Sequence, residues 1–175
     1  HILDSNNVQI ISYRPLDNRY LHYSTEVLER ARVPVMRNML SGQNVGLCWI
    51  RPMSKSYNFD LFISKNAIDQ CYAGNKSAGA GISYLGPLYI IGKDGNKESN
   101  LNEKIVDEIE KIVGKVSPED ILDYTYATLH SPSYREKYKE SLKIDFPRVP
   151  YPKDSKTFKM LVELGQELRQ LHLLE

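Results

Sequence analysis

The chain has 175 residues, 41% of them hydrophobic and 26% charged, and a formal net charge of +1. That is enough apolar material for one buried core and ordinary for a folded domain, which excludes a disordered chain. No apolar run approaches the ~20 residues that cross a bilayer, and the overall charge picks out no partner by itself.

The first half reads as strands and loops. VQIISY (8–13) and VGLCWI (45–50) are β-branched apolar runs that predict strands. YNFDLFI (57–63) alternates in part, with Tyr57, Phe59, Leu61 and Ile63 on one face. Between the first two, TEVLERARVPVMRNML has helical spacing at Val27, Leu28 and Ala31, and again at Val35, Met36, Met39 and Leu40. Pro34 breaks that pattern, predicting a short helix or turn on each side. SKNAIDQCY (64–72) predicts one or two helical turns capped by Ser64. Four glycines between residues 74 and 86 predict a flexible loop before a strand in PLYII. GKDGNKESN (92–100) is polar turn chemistry.

The second half turns helical. LNEKIVDEIEKIVGKV places Ile105, Ile109, Ile112 and Val113 on one face. SPED at 117–120 predicts a helix start, with Ser117 as cap, Pro118 in the first turn and Asp120 at the capping-box position. Ser131 and Pro132 repeat the device. IDFPRVPYPKD carries three prolines and predicts extended chain. The final segment spaces Phe158, Leu161, Val162, Leu168 and Leu171 along an amphipathic helix, where Gly165 would admit a close neighbour. The fold class is α+β: an N-terminal mixed sheet with long loops (1–100), then a C-terminal helical region (101–175) that packs on it.

Charge is unevenly placed. Residues 14–55 hold Arg14, Arg19, Arg30, Arg32, Arg37, Arg51 and Lys55 against Asp17, Glu26 and Glu29. Guanidinium forks suit phosphate and guanine edges, so the window points to an anionic partner. The later cations are mainly lysines mixed with glutamates, as on solvated helices. Cys48 and Cys71 form no CxxC pair and read as reduced, partly buried thiols of a cytoplasmic protein. The chain opens on His1 with no leader-like segment, as a piece of a longer protein or behind a tag remnant.

Catalytic and metal motifs are missing from the pattern. GNKSAGAG has glycines, a lysine and a serine, but Lys76 follows Asn75 where a phosphate-binding loop requires glycine. There is no GxSxG or HExxH, and His1, His22, His130 and His172 lack metal-ligand spacing. His130 reads as a helix C-terminal residue, and Glu119 with Asp120 as part of a helix start. VPYP has no Pro-Pro pair and reads as a rigid connector. No catalytic residue and no metal site is expected in this chain.

Several blocks carry a resemblance. YRPLDNRYLHY, ARVPVMRNML, FISKNAIDQCYAGNKSAGAGISYLGPLYI, EDILDYTYATLHSPSYREKYKESLKIDFPRVPYP and FKMLVELGQELRQLHLLE are similar to successive blocks of one family. That family is the C-terminal specificity (target recognition) domain of single-polypeptide restriction-modification enzymes, the type ISP and related type IIG class. The combination of HSPSYREKY with IDFPRVPYP is the most specific part. Leu16 stands where an aromatic is expected, and Ala31 where proline is frequent.

The resemblance implies sequence-specific binding of double-stranded DNA and no chemistry in this chain. An adjacent methyltransferase domain of the parent would methylate adenine at N6 using S-adenosylmethionine, and the helical part would pack on it. The DNA-contact candidates are Arg14, Arg19, Arg30, Arg32, Arg37, Arg51 and Lys55, with loop residues Asn75, Lys76 and Ser77. Each has a structural alternative. Arg14 and Arg19 flank Asp17, and either an ion pair or a DNA contact fits. Glu26 lies one helical turn before Arg30. Arg32 has no evident acid partner. Tyrosines 13–23 read as strand scaffold, and Arg148 as a brace for the helices. The alternative function is a helical docking module of the same enzyme, with the last helix as interface.

Overall fold

In the computed structural model of the chain, residues 4–29, 31–50, 60–73 and 82–175 are described. The first β-branched run forms β1 (Val8–Arg14), which turns through Pro15 and Leu16 into antiparallel β2 (Asp17–His22). Pro15 presets the first turn position, and Leu16 takes a left-handed φ of 64° at the second. Leu16 is thus an exposed turn tip.

A second sheet has the order β4-β3-β6. Its strands are β3 (Gly46–Ile50), β4 (Leu61–Ser64) and β6 (Ser83–Pro87), all antiparallel to their neighbours. Strand β3 is the middle strand of this sheet, and both of its faces are covered. Cys48 points to Ile68, Tyr72, Phe62, Leu85 and Met36. Leu47 and Trp49 point the other way, onto Leu61, Ile63 and the helical layer. At one end Trp49 stacks on Tyr84, and both meet Phe146 edge-on. Gly86 lies under that indole, where a Cβ would sit 3.1 Å from the ring. A small hairpin, β7 (Tyr89–Ile91) with β8 (Lys97–Ser99), then leads to the helices.

Helix α2 (Glu103–Val113) is capped by Asn102, and α3 (Pro118–His130) by the capping box read from the sequence. Asp120 N–H donates to Ser117 Oγ (3.1 Å), and Ser117 N–H donates to Asp120 Oδ2 (2.8 Å). α3 is buried on two sides. Leu122, Tyr126 and Leu129 face the sheet; Ile121 and Tyr124 face Ile109 of α2 and Phe158 of the last helix. α4 (Pro132–Lys137) and α5 (Lys139–Leu142) follow, then an extended segment, then α6 (Ser155–Leu173). α6 lies along α3, and Lys65 at the end of β4 pairs with Glu175.

Several sequence expectations are corrected here. Residues 64–72 are not helical. Ser64 ends β4 with its Oγ buried 2.9 Å from Ser12 Oγ, and β5 (Ala67–Ile68) pairs in parallel with β1 through Ile11 and Ser12. This buried hydroxyl contact joins the two sheets. The expected turn and short helix in place of one helix are present, as turns within 25–29 and α1 (Val33–Met36), but Pro34 lies in the first turn of α1 and not between the two. The glycine-rich stretch is strand from Ser83 onward.

Tyr138 interrupts the helix expected after Pro132. The buried side of α2 runs through Val106, Ile109 and Val113, leaving Ile105 and Ile112 exposed. Leu171 is 68% exposed and does not share the buried face of Phe158 and Leu168. Arg148 braces the helices through its carbonyl, which accepts from Tyr134 Oη (2.8 Å), and its side chain is exposed. Both cysteines are unpaired and buried, Cys48 completely.

Candidate nucleic-acid interface

The tip of the β1–β2 hairpin carries two arginines stacked on one ring. The guanidinium carbons of Arg14 and Arg19 lie 4.0 and 3.8 Å from the Tyr13 ring centroid. Each also has a carboxylate. Arg19 donates from Nε and Nη2 to Asp17, two residues earlier on the same strand, with Nη2–Oδ2 at 2.8 Å. Arg14 Nη1 donates to Asp69 Oδ1 at 2.8 Å. The hydrogen bond from Arg19 lowers the Asp17 pKa and raises that of Arg19, so the pair stays ionised through neutral pH.

Asp69 ties this tip to the second sheet. Its Oδ1 also accepts from Cys71 N–H at 2.9 Å, fixing a turn over residues 69–72. Ala73 N–H donates to Ser83 Oγ and Ser83 N–H to Gln70 O, each at 2.9 Å. Ser83 is the cross-strand partner of Ile50, and Leu61 that of Trp49. The hairpin tip, the 69–73 turn and the adjoining ends of β3, β4 and β6 therefore form one continuous junction. Arg30, Arg51, Lys55, Asn75, Lys76 and Ser77 lie outside the described residues.

Arg32 and Arg37 bracket α1, whose Met36 packs into the cluster beside that junction with Ile68, Tyr72 and Leu85. Arg32 has a left-handed φ of 49° and turns the chain into the helix. Both arginines are exposed, and neither forms an ion pair with a described residue. Two buried asparagines hold this segment. Asn38 Nδ2 donates to the carbonyls of Pro34 and Val35, and its Oδ1 accepts from Ile91 N–H (2.9 Å). Asn44 Nδ2 donates to the carbonyls of Asn38 and Tyr89, while its Oδ1 accepts from Val45 N–H and Tyr89 N–H. Every amide group is satisfied, as burial requires.

The tyrosines divide. Tyr13 is the arginine platform, and Tyr23 donates its hydroxyl to the Ala31 carbonyl, with burial raising its pKa. Tyr20 instead stands 79% exposed, opposite exposed Ile10.

The other polar candidates serve the scaffold. Glu119 accepts from Tyr89 Oη (2.6 Å) and Asp120 completes the capping box. Among the described residues no group of three or more His, Cys, Asp or Glu is arranged to hold a metal ion. His130 packs edge-on against Tyr126, with His172 beside it and Arg135 Nη2 3.4 Å from its Nδ1. Burial, then Arg135 and His172, push its pKa down from 6.5 to about 4.

The unfolded chain binds that proton below its ordinary pKa while the native state does not. The stability contributed by neutral His130 is therefore complete above pH 6.5 and is lost as pH falls towards about 4. Allowing for partial solvent access, the loss is on the order of 2 kcal/mol. Urea unfolding of wild type and His130→Leu at a series of pH values should show that part of the acid destabilisation in wild type alone.

Small sheets with charged turns over a helical buttress define an α+β binding module. The chain belongs to the family of Type ISP C-terminal specificity domains, whose model matches residues 1–175. No curated protein matches it. Among solved structures it is similar to part of a DrdV–DNA complex determined by cryo-electron microscopy, at 24% identity and a TM-score of 0.83, over 99% of this chain and 16% of that one. It is also similar to part of a nuclease-deletion mutant of the Type ISP restriction-modification enzyme LlaGI in complex with a DNA substrate mimic (24% identity, TM-score 0.69, 99% and 14%). A third is the ATP-dependent Type ISP restriction-modification enzyme LlaBIII bound to DNA (22%, 0.74, 99% and 11%). At these identities the likeness is one of fold, and the chain spans about one sixth or less of each of those proteins.

Proposed function

We propose that this chain recognises a sequence in double-stranded DNA as the target recognition domain of a restriction-modification enzyme. The observation that carries the reading is the pair Arg14 and Arg19 on one tyrosine ring at a hairpin tip, with Arg32 and Arg37 exposed at the ends of α1, in a chain of the Type ISP specificity family. The structures it resembles in fold contain DNA, which supports the same reading. Phosphate contacts fix register and base contacts fix sequence. Arg32 and Arg37, exposed and without an ion-pair partner among the described residues, suit the first task. The parent would methylate adenine at N6 in the cytoplasm, with S-adenosylmethionine held by the adjacent methyltransferase domain.

Docking of the helical part on that neighbour is supported by a specific feature. Met160, Leu164 and Leu171 lie on one outward stripe of α6, all more than half exposed. The two roles are compatible, since the stripe faces away from α3.

Fluorescence anisotropy with a mixed-sequence duplex tests the DNA role. Affinity should fall steeply between about 50 and about 200 mM salt, and Arg32→Ala and Arg37→Ala should each flatten the log–log slope by about 1. Salt-insensitive or absent binding would leave docking alone.

A further inference from the structure

We infer that Arg19 reads a guanine edge in the major groove and that Asp17 and Tyr13 are the positioning residues that aim it. This rests on the duplex-binding reading above. Arg19 Nε lies 3.1 Å from both Asp17 oxygens, and Nη2 lies 2.8 Å from Oδ2. The carboxylate therefore occupies the Nε side of the guanidinium. The end-on edge, one N–H from Nη1 and one from Nη2, keeps its two parallel donors. The Tyr13 ring supports the guanidinium at 3.8 Å, yet the side chain remains 56% exposed. The fork is held without being covered.

Two properties separate such a side chain from a phosphate clamp. A phosphate is attracted by net charge, and Asp17 cancels that of Arg19. Guanine O6 and N7 are uncharged acceptors that match two parallel N–H groups, so they lose little from that cancellation. A long side chain also surrenders rotamer freedom on binding, and a guanidinium already fixed by a carboxylate and a ring has less to lose. Arg14 shares the ring, but Asp69 accepts from its Nη1, which uses part of the end-on edge. Arg32 and Arg37 have neither support among the described residues. Arg19 thus offers one aimed donor pair, whereas Arg32 and Arg37 offer exposed charges with no ion-pair partner among the described residues.

Selection from a randomised duplex library, using the 175-residue chain as wild type, Arg19→Ala, Arg19→Lys and Asp17→Asn, tests this. Wild type should enrich a motif with a guanine that Arg19→Ala no longer prefers, losing roughly tenfold or more in discrimination at that position alone. Arg19→Lys should lose the same preference, since it keeps the charge but not the fork. Asp17→Asn should weaken that preference while binding unselected duplex more tightly, because the guanidinium regains its net charge. Circular dichroism confirms that each variant is folded; the substituted groups lie at the hairpin surface. One motif shared unchanged by all four proteins overturns the inference and leaves duplex binding standing. So does uniform loss of affinity in Arg19→Ala with a flatter salt slope, which marks a phosphate contact. If wild type enriches no motif, sequence recognition itself fails and the inference with it.

Discussion

Gly165→Ala should destabilise the protein by more than about 3 kcal/mol, read as a lowered urea midpoint. A Cβ on Gly165 would sit 2.0 Å from the Asp123 carbonyl oxygen, 2.6 Å from its carbon and 3.0 Å from its Cα. All three atoms are backbone, so no rotamer change relieves the overlap and α6 must shift as a body. That shift is opposed on both sides of the crossing. Phe158 packs on Tyr124 at 5.1 Å between ring centroids, Arg169 is bonded to Asp123, and Tyr126 Oη lies 2.5 Å from His172 Nδ1. Intrinsic propensity works the other way, since alanine exceeds glycine in a helix interior by about 1 kcal/mol. A clear loss of stability therefore isolates the steric term, whereas a gain would mean that the two helices can separate at little cost.

How much of this was legible in the sequence depended on the range of each interaction. The capping box of Ser117 and Asp120 is complete within four residues, and it formed as read. Gly165 was legible as a close-approach point because glycine on an apolar helix face has few other uses. Ser64 misled because serine before a polar stretch is also a helix cap. Its hydroxyl is instead taken up by Ser12, 52 residues away, and the chain runs on to pair Ala67 with Ile11. Nothing local records that pairing. Leu171 misled because a helical period identifies a stripe without saying which stripe meets the core; α6 carries apolar residues on two faces.

The candidate interface was partly legible for the same reason. The arginine-rich window is a fact of composition, and the Asp17–Arg19 pair lies within three residues. The Arg14–Asp69 pair spans 55 residues and had no signal. Without it, the hairpin and the 69–73 turn look like separate surface features. With it, the arginine platform and the entry to the glycine-rich segment become one surface.

Removing either partner of the Asp123–Arg169 pair should cost about 3–5 kcal/mol, the range for a broken buried ion pair. Arg169 Nε and Nη2 donate to the two Asp123 oxygens at 2.7 and 2.9 Å, and the side chains are only 15% and 4% exposed. Arg169→Leu would leave a carboxylate in an apolar crossing with its partner gone. Asp123→Leu would strand a guanidinium that stays charged at any attainable pH. The double variant should recover much of either loss, because two leucines bury apolar surface and strand no charge. Urea unfolding of the four proteins gives the coupling directly. Strong recovery would mean that the pair sets which residues of α6 meet α3 more than how tightly they hold. A double variant no more stable than either single variant would mean that the crossing draws net stability from the ion pair itself. Additive losses would mean that the two side chains act independently and that Gly165, Phe158 and the Tyr126–His172 contact hold the register of α6.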